Sequence, residues 1–145
     1  MSAGRERAAR FVAEARALLG TPWRHLGRNP AGVDCVGLLL LAGARAGLAV
    51  PDPPPYTRLP SGYALAEACA AIGRRVPLAE ARPGDVLLFS DSLYPCHVGL
   101  RTERSGGVPH CLHARASSRA VVEEPLAFEL ADTLRRAYRH HALEG

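Results

Sequence analysis

The chain has 145 residues, of which 48% are hydrophobic and 22% charged, and its formal net charge is +4. This composition is typical of a globular protein that folds around its own core without disulfides or a structural metal. The 18 basic residues are all Arg and are scattered along the chain, which does not favour a nucleic-acid partner, because such partners usually bind a concentrated basic patch. We therefore predict one domain over residues 1–145 with no nucleic-acid partner.

The amino-terminal segment does not resemble a secretory signal. Residues 1–20 contain Glu6 and Glu14 and lack a continuous apolar segment. The longest apolar run, residues 36–44, is far shorter than the roughly 20 residues that a membrane span needs. We expect synthesis in the cytoplasm without a signal peptide, and no insertion into a membrane.

Three helices are predicted in the first half of the chain. Apolar residues recur at three- and four-residue spacing over residues 5–19, which predicts an amphipathic surface helix, followed by a loop. Asp34 is a favourable N-cap, and residues 35–47 after it are apolar on nearly all sides, which predicts a buried central helix. Beyond a Pro-rich connector, residues 61–73 form the third predicted helix.

The second half of the chain is predicted to form strands. Short apolar segments, separated by Pro-Gly and Gly-Gly pairs, occur near Val76 and in GDVLLF, HVGLRT, CLHARA, VVEEPL and RRAYRH. Helices followed by a mostly antiparallel sheet indicate the α+β class. We expect five to six strands, with the helices packed on one face of the sheet.

Cys35 is the candidate nucleophile. At the first turn of a helix, unpaired backbone N–H groups and the helix dipole stabilise a thiolate, and the same groups can form part of an oxyanion hole. A free Cys is also often only a small buried apolar residue. From this residue alone the two interpretations are about equally supported.

Two histidines are candidate partners for the thiol. Alternation places His97 on one face of its predicted strand and His113 on one face of another. If the two strands are neighbours, both imidazoles can point toward the central helix. His97 would then act as the base, and His113 could hold its ring in the correct tautomer.

The blocks DCVGLLL, PGDVLLF, HVGL and LHA, in this order, resemble the successive motifs of the NlpC/P60 cysteine peptidases. The resemblance extends from about Thr21 to about Leu126 and implies a papain-like fold. It also implies Cys35 as nucleophile, His97 as general base and acid, and His113 as the residue that orients His97. The implied substrates are the peptide stems of bacterial peptidoglycan, and no cofactor is implied.

Two positions depart from the family pattern. The Ser that follows the Cys in the family is Val36 here, and a position usually held by Tyr is Trp23. In the family, the residue matching Asp34 helps to bind the free amine of the stem peptide, although capping of the central helix is an alternative role here. We expect Asp34 and Trp23 to contribute to substrate binding. His25 could line the same cleft, although exposure to solvent is the commoner outcome.

The block TPWRH also resembles a subgroup that is encoded with phage tail genes, including those of gene transfer particles. This implies a peptidase carried in a virion or particle tail, with tail or baseplate proteins as partners. Two alternatives remain open. One is a catalytically silent tail-assembly module, and the other is an amidase or acyltransferase on the same fold.

A metal site is not predicted. Cys96, His97, Cys111 and His113 have suitable ligand atoms, but adjacent residues of a regular strand point to opposite faces. The C-x-x-C spacing of common zinc sites is also missing. A disulfide between Cys96 and Cys111 is not expected in a reducing cytosol, and Cys69 is expected in the core.

Overall fold

The computed structural model describes residues 1–57, 63–91 and 93–145. Its larger helices are α1 (Ala3–Arg16), α2 (Cys35–Arg45), α3 (Ala64–Ile72) and α4 (Glu129–Thr133). Its strands are β1 (Arg28–Asn29), β2 (Gly32–Val33), β3 (Gly73–Val76), β4 (Val86–Ser90), β5 (Pro95–Arg104), β6 (Val108–Arg115), β7 (Ala120–Pro125) and β8 (Leu134–His140). None of the described helices is long and apolar enough to span a membrane.

The described strands form one six-stranded sheet in the order β3-β8-β4-β5-β6-β7, together with a separate two-stranded sheet of β1 and β2. Neighbouring strands in the large sheet pair antiparallel. The predicted α+β class is therefore confirmed. The β1–β2 pair lies in a segment predicted as loop, and the predicted start of the third helix at Ser61 lies outside the described residues.

Local sequence explains where the first two helices begin. The Ser2 hydroxyl accepts a hydrogen bond from the backbone N–H of Arg5, so α1 starts at Ala3, two residues earlier than predicted. Asp34 caps α2 by accepting a hydrogen bond at 2.8 Å from the backbone N–H of Gly37. Any Cβ at Gly37 would collide with the carbonyl oxygen of Gly27. The close approach that glycine permits here fixes the start of α2 against the preceding loop.

The two faces of the sheet carry different cores. α1, α2 and α3 pack on one face, where their apolar residues join those of the strands, among them Phe11, Leu38, Leu39, Cys69, Val98, Leu100, Leu112 and Ala114. The opposite face carries a smaller core of Val76, Leu87, Phe89, Cys111, Leu130 and Ala137. Leu130 belongs to α4, a five-residue helix that was not predicted. The predicted packing of helices on a single face therefore holds for α1–α3 only.

A buried ion pair fixes the start of β4. Both carboxylate oxygens of Asp85 accept hydrogen bonds from the Arg139 guanidinium of β8, each at 2.9 Å. Asp85 also accepts a hydrogen bond from the backbone N–H of Arg82. Asp85 is 1% exposed and Arg139 is 6% exposed. The Asp of the PGDVLLF block thus joins two central strands.

Candidate active site

Cys35, the first residue of α2, is half-buried and lines a cleft of about 110 Å³ together with His97. The cleft lies near the end of the ladder between β5 and β6, which extends from the Arg104–Val108 pair to the Leu100–Leu112 pair. His97 precedes this ladder on β5. The remaining cleft residues are Trp23, His25, Asp34, Tyr56, Thr57, Leu65, Cys96, Ala114 and Ala116.

Burial and the helix start have opposite effects on the pKa of the Cys35 thiol. Burial raises its pKa to about 12, although hydrogen bonds from the backbone N–H groups of Val98 and Val36 act in the opposite direction. The backbone N–H groups of the helix start therefore act as expected, and burial has the larger effect on the pKa of Cys35 in the unliganded cleft.

The two predicted histidines form a pair. His97 Nε2 and His113 Nδ1 lie 2.7 Å apart, at hydrogen-bond distance, and the side chain of His113 is completely buried. Their strands are neighbours, which meets the condition stated for the two imidazoles to approach each other. The face is different from the expected one. Alternation puts Gly99 on the same side of β5 as His97, and a Cβ at Gly99 would meet Cys111 Sγ and His113 Cβ. Cys111 belongs to the core opposite α2. The imidazoles therefore lie on the face of the sheet opposite α2. His97 still lines the cleft of Cys35, because it lies beyond the Leu100–Leu112 pair at which the β5–β6 ladder ends.

A chain of polar contacts continues behind the histidines. His113 Nε2 lies 2.8 Å from Glu124 Oε2, and Arg115 Nη1 donates a hydrogen bond to Glu124 Oε1 at 2.9 Å. Burial acts to raise the pKa of Glu124, but His113 and Arg115 together hold it below its ordinary value. Sequence reasoning missed Glu124, because VVEEPL was interpreted only as a strand.

Both imidazoles are neutral in the unliganded site. Burial lowers the pKa of His97 to about 3, with smaller contributions from His113 and Arg115. Burial also lowers the pKa of His113, against the opposing effect of Glu124. The hydrogen bonds of the described residues do not include one between Cys35 and His97. Such bonds are often long in unliganded enzymes and shorten when substrate binds.

Both carboxylate oxygens of Asp34, next to Cys35, accept hydrogen bonds. Its Oδ1 accepts hydrogen bonds from Gly37 N–H and from Arg28. Its Oδ2 accepts from Leu26 N–H at 2.9 Å and from the Tyr56 hydroxyl at 2.6 Å. The capping role is confirmed, and a substrate amine would have to displace one of these donors to reach the carboxylate.

Tyr56 lines the cleft and contacts Arg28, and the sequence did not indicate a role for either residue. The Arg28 guanidinium donates to the Tyr56 hydroxyl at 3.1 Å, and Tyr56 packs edge-to-face against His25. Tyr56 belongs to the Pro-rich segment that was predicted to be only a connector. Trp23 is half-buried in the cleft wall, where its backbone N–H donates to the carbonyl of Arg119. Trp23 and His25 therefore both line the cleft.

The cysteines other than Cys35 have separate environments. Cys69 lies in the main core, as predicted, and Cys111 lies in the smaller core. Cys96 is half-buried and lines the cleft beside His97. All four thiols are free. In the part of the chain that the structure describes, no group of three or more His, Cys, Asp or Glu side chains is arranged to hold a metal ion.

The fold and the arrangement of a thiol and two imidazoles correspond to a known class of domain. Residues 20–137 match the NlpC/P60 family. This range covers most of the chain and includes every predicted site residue. The chain belongs to the NlpC/P60 family, which confirms the resemblance inferred from the sequence motifs.

Relatives and solved structures agree with this assignment. A probable endopeptidase of Mycobacterium tuberculosis is 38% identical over 87 residues, which are 60% of this chain and 19% of the relative. The P60 domain of an antigen from Mycobacterium avium subspecies paratuberculosis has a TM-score of 0.68 at 20% identity, with 98% of each chain covered. The NlpC/p60 domain of the peptidoglycan hydrolase SagA has a TM-score of 0.65 at 22% identity, with 90% of this chain and 97% of that chain covered. At such identities the two structures show a shared fold.

Proposed function

We propose that this protein is a cysteine endopeptidase that hydrolyses the peptide stems of bacterial peptidoglycan. The observation that carries the proposal is the meeting of Cys35 and His97 in one cleft, with His97 held from behind by His113. Membership of the NlpC/P60 family and the similarity to a probable endopeptidase support the same reaction.

The geometry assigns each nitrogen of His97 a role. Nε2 is engaged with His113, so Nδ1 is the nitrogen that remains to serve the cleft. As the Cys35 sulfur attacks the carbonyl carbon, Nδ1 takes the thiol proton and later gives it to the departing amine as the C–N bond breaks. Water then attacks the thioester carbonyl while His97 accepts its proton, and His97 returns that proton to the Cys35 sulfur as the C–S bond breaks. The products are a new carboxyl end, a new amine end and the regenerated thiol.

The start of α2 supplies the electrostatic part of the mechanism. The first intrahelical hydrogen bond runs from Leu38 N–H to Asp34 C=O, so the N–H groups of Cys35 and Val36 precede it. Such groups can stabilise the oxyanion of the tetrahedral intermediate. Because Cys35 and His97 are both neutral at rest, proton transfer accompanies the attack instead of preceding it.

Substrate contacts are proposed on the two sides of the nucleophile. Trp23 forms part of the cleft wall, where its ring can pack against a stem peptide. Asp34 contributes to substrate binding in one of two ways. It orients the Tyr56 hydroxyl, which then contacts the substrate, or it releases that hydroxyl and binds a substrate amine instead. The cleft is small compared with the roughly 300–1,000 Å³ of common ligand pockets, so it suits the scissile linkage and not a whole stem.

The proposed reaction is tested by product analysis. Purified peptidoglycan and a soluble stem peptide are incubated with the parent protein and with Cys35→Ala and Cys35→Ser, and the products are identified by mass spectrometry. We expect cleavage inside the stem by the parent only, with unchanged circular dichroism in the variants. Full activity of Cys35→Ala overturns the nucleophile. Release of intact stems from the sugar indicates an amidase, and no product at all indicates a silent module.

We also propose that the protein acts in a phage-like tail, where it would aid penetration of the wall. The support is the TPWRH block around Trp23, which resembles that of tail-associated members. Tail or baseplate proteins would be its partners. Particles purified from the strain that carries the gene should contain the protein in isolated tails. Its absence from tails, with the protein present in the cell extract, would contradict this location.

A further inference from the structure

Glu124 is connected to the cleft through His113, although it does not itself line the cleft of Cys35. We propose that Glu124 is a positioning residue that fixes the tautomers of both imidazoles and so presents the unprotonated Nδ1 of His97 to Cys35. The inference rests on the proposed peptidase function and adds to it the residue that prepares the base.

The argument follows the protons along the chain of contacts. A carboxylate has only acceptors, so His113 Nε2, which lies 2.8 Å from Glu124 Oε2, must carry a proton. A neutral imidazole carries one proton, so His113 Nδ1 has a free lone pair. His97 Nε2, which lies 2.7 Å from that lone pair, must then be the donor. The Nδ1 of His97 is left unprotonated on the cleft side, where the thiol proton must go.

Among the residues that the structure describes, the His113 ring forms hydrogen bonds with His97 and Glu124. The side chain of His113 is fully buried, so solvent does not compete for either nitrogen. Arg115 occupies the second oxygen of Glu124 and keeps the carboxylate in place and ionised. The negative charge of Glu124 also favours the imidazolium that forms on His97 during the reaction. A purely structural ion pair between Glu124 and Arg115 would have neither effect on His97.

Glu124→Gln distinguishes a role in fixing the tautomers from a purely structural ion pair with Arg115, because an amide has one oxygen and one NH₂ group. Arg115 can only donate, so the amide oxygen is expected to face Arg115 and the NH₂ group to face His113. His113 Nε2 must then accept, Nδ1 carries the proton, and the same inversion passes to His97. Its Nδ1–H would face the thiol. We expect kcat to fall about 100-fold or more, as for loss of a general base.

A second change should reverse part of this loss. In the double variant Glu124→Gln with Arg115→Met, nothing holds the amide oxygen away from His113. The oxygen can turn and accept from His113 Nε2, which restores the original tautomers. We expect the double variant to recover at least about tenfold in kcat over Glu124→Gln, since the base is again available. A role limited to the ion pair with Arg115 predicts that the double variant is no better than the single one.

The matched control is Glu123→Gln. Glu123 is adjacent in sequence, but its carboxylate binds Arg16, Arg104 and Thr102 and does not contact the imidazoles. It undergoes the same chemical change and should keep both kcat and the histidine tautomers of the parent. Glu124→Asp retains the charge and provides a second variant in case Glu124→Gln fails to fold. It should keep the parent tautomers with a smaller loss of kcat.

The decisive measurement is nitrogen NMR of histidine-labelled protein, together with kcat on one stem peptide. We expect protonation of both rings at Nε2 in the parent and at Nδ1 in Glu124→Gln. The proposal is overturned if Glu124→Gln keeps the parent tautomers and kcat, or if the double variant does not recover. The tautomers are measured without substrate, so a failed peptidase assay with switching tautomers would refute the proposed function and leave the role of Glu124 intact.

Discussion

Two adjacent glutamates on β7 serve opposite faces of the sheet. Glu123 lies on the face covered by α1, where its carboxylate accepts hydrogen bonds from the Arg16 guanidinium and, at 2.6 Å, from the Thr102 hydroxyl. Glu124 lies on the other face and contacts His113. Both carboxylates have a lowered pKa, with Glu123 at about 2. Neither the residue type nor the direction of the pKa shift distinguishes the two.

The two glutamates differ in the groups that they bind. Guanidinium groups keep their charge at any accessible pH, and a hydroxyl remains a hydroxyl, so the contacts of Glu123 can only hold α1 and the sheet together. The partner of Glu124 is an imidazole whose proton can occupy either nitrogen. A buried carboxylate is therefore informative about function when the group it binds can exchange a proton with the site.

The largest effect is expected on the catalytic face, at His97. His97→Asn should lower kcat by about 100- to 10,000-fold, because an amide cannot accept and return the proton. His113→Asn should keep much of the activity, since its amide oxygen can still accept from His97 Nε2–H, whereas His113→Ala should lose more. Turnover of one purified stem peptide measures all three, with circular dichroism as the folding control. An active His97→Asn beside an inactive His113→Asn would mean that the two roles are reversed.

The sequence predicts the parts of the site that depend on local pattern. DCVGLLL predicts a Cys at the start of a buried helix, and alternation in HVGL and LHA predicts two imidazoles that can meet. Which face they share, and that Glu124 lies behind them, depends on how distant strands pair. VVEEPL contains two glutamates in alternation, and no local signal says which one will face His113.

Burial of the Cys35 thiol is the second property that local sequence pattern does not predict. A helix start indicates a stabilised thiolate, and the backbone N–H groups do act in that direction on Cys35. The opposing effect is burial, and the cleft around Cys35 is lined by residues from distant parts of the chain, among them Leu65 of α3, Tyr56 of the connector and His97 of β5. The result depends on tertiary packing and could not be predicted from the motif.

The next largest effect is expected on the free energy of unfolding, at Asp85, a carboxylate whose contacts only hold strands together. Asp85→Ala leaves the buried Arg139 without its bidentate partner, which should cost about 3–5 kcal/mol of unfolding free energy. Urea denaturation monitored by circular dichroism measures this loss. The folded fraction should keep the kcat of the parent, because neither residue contacts the cleft. A large fall in kcat at full folding would show that the start of β4 also controls the site.

Glu123→Gln should have a smaller and pH-dependent effect on stability. The folded-state pKa of about 2 lies below the ordinary value, so the contribution of Glu123 is complete above about pH 4.5 and is lost as the pH falls through about 2. We expect a loss of about 1–2 kcal/mol at neutral pH, which shrinks as the pH approaches 2. Urea denaturation of parent and variant at pH 7 and pH 3 measures it. An equal loss at both values would contradict the assigned ionisation.

The smallest effect is expected from pH on catalysis itself. With the pKa of His97 lowered to about 3 and that of Cys35 raised to about 12, neither group titrates between pH 5 and pH 9. We expect kcat/KM to stay level over this range for a stem peptide whose own charge is constant there. A resting thiolate–imidazolium pair would instead lose activity on the alkaline side, as the imidazolium releases its proton.

Alkylation of the thiol tests the same neutral pair without substrate. Iodoacetamide should modify Cys35 at pH 7 no faster than a small free thiol, and the rate should rise as the pH is raised, because only the thiolate reacts. Cys35→Ser leaves Cys96 as the thiol in the cleft, and peptide mapping of this variant gives the background rate. Rapid modification of Cys35 at pH 7 would show that the backbone N–H groups of the helix start outweigh burial. The proton of the nucleophile would then already reside on His97, and the tautomer fixed by Glu124 would matter only when His97 is neutral.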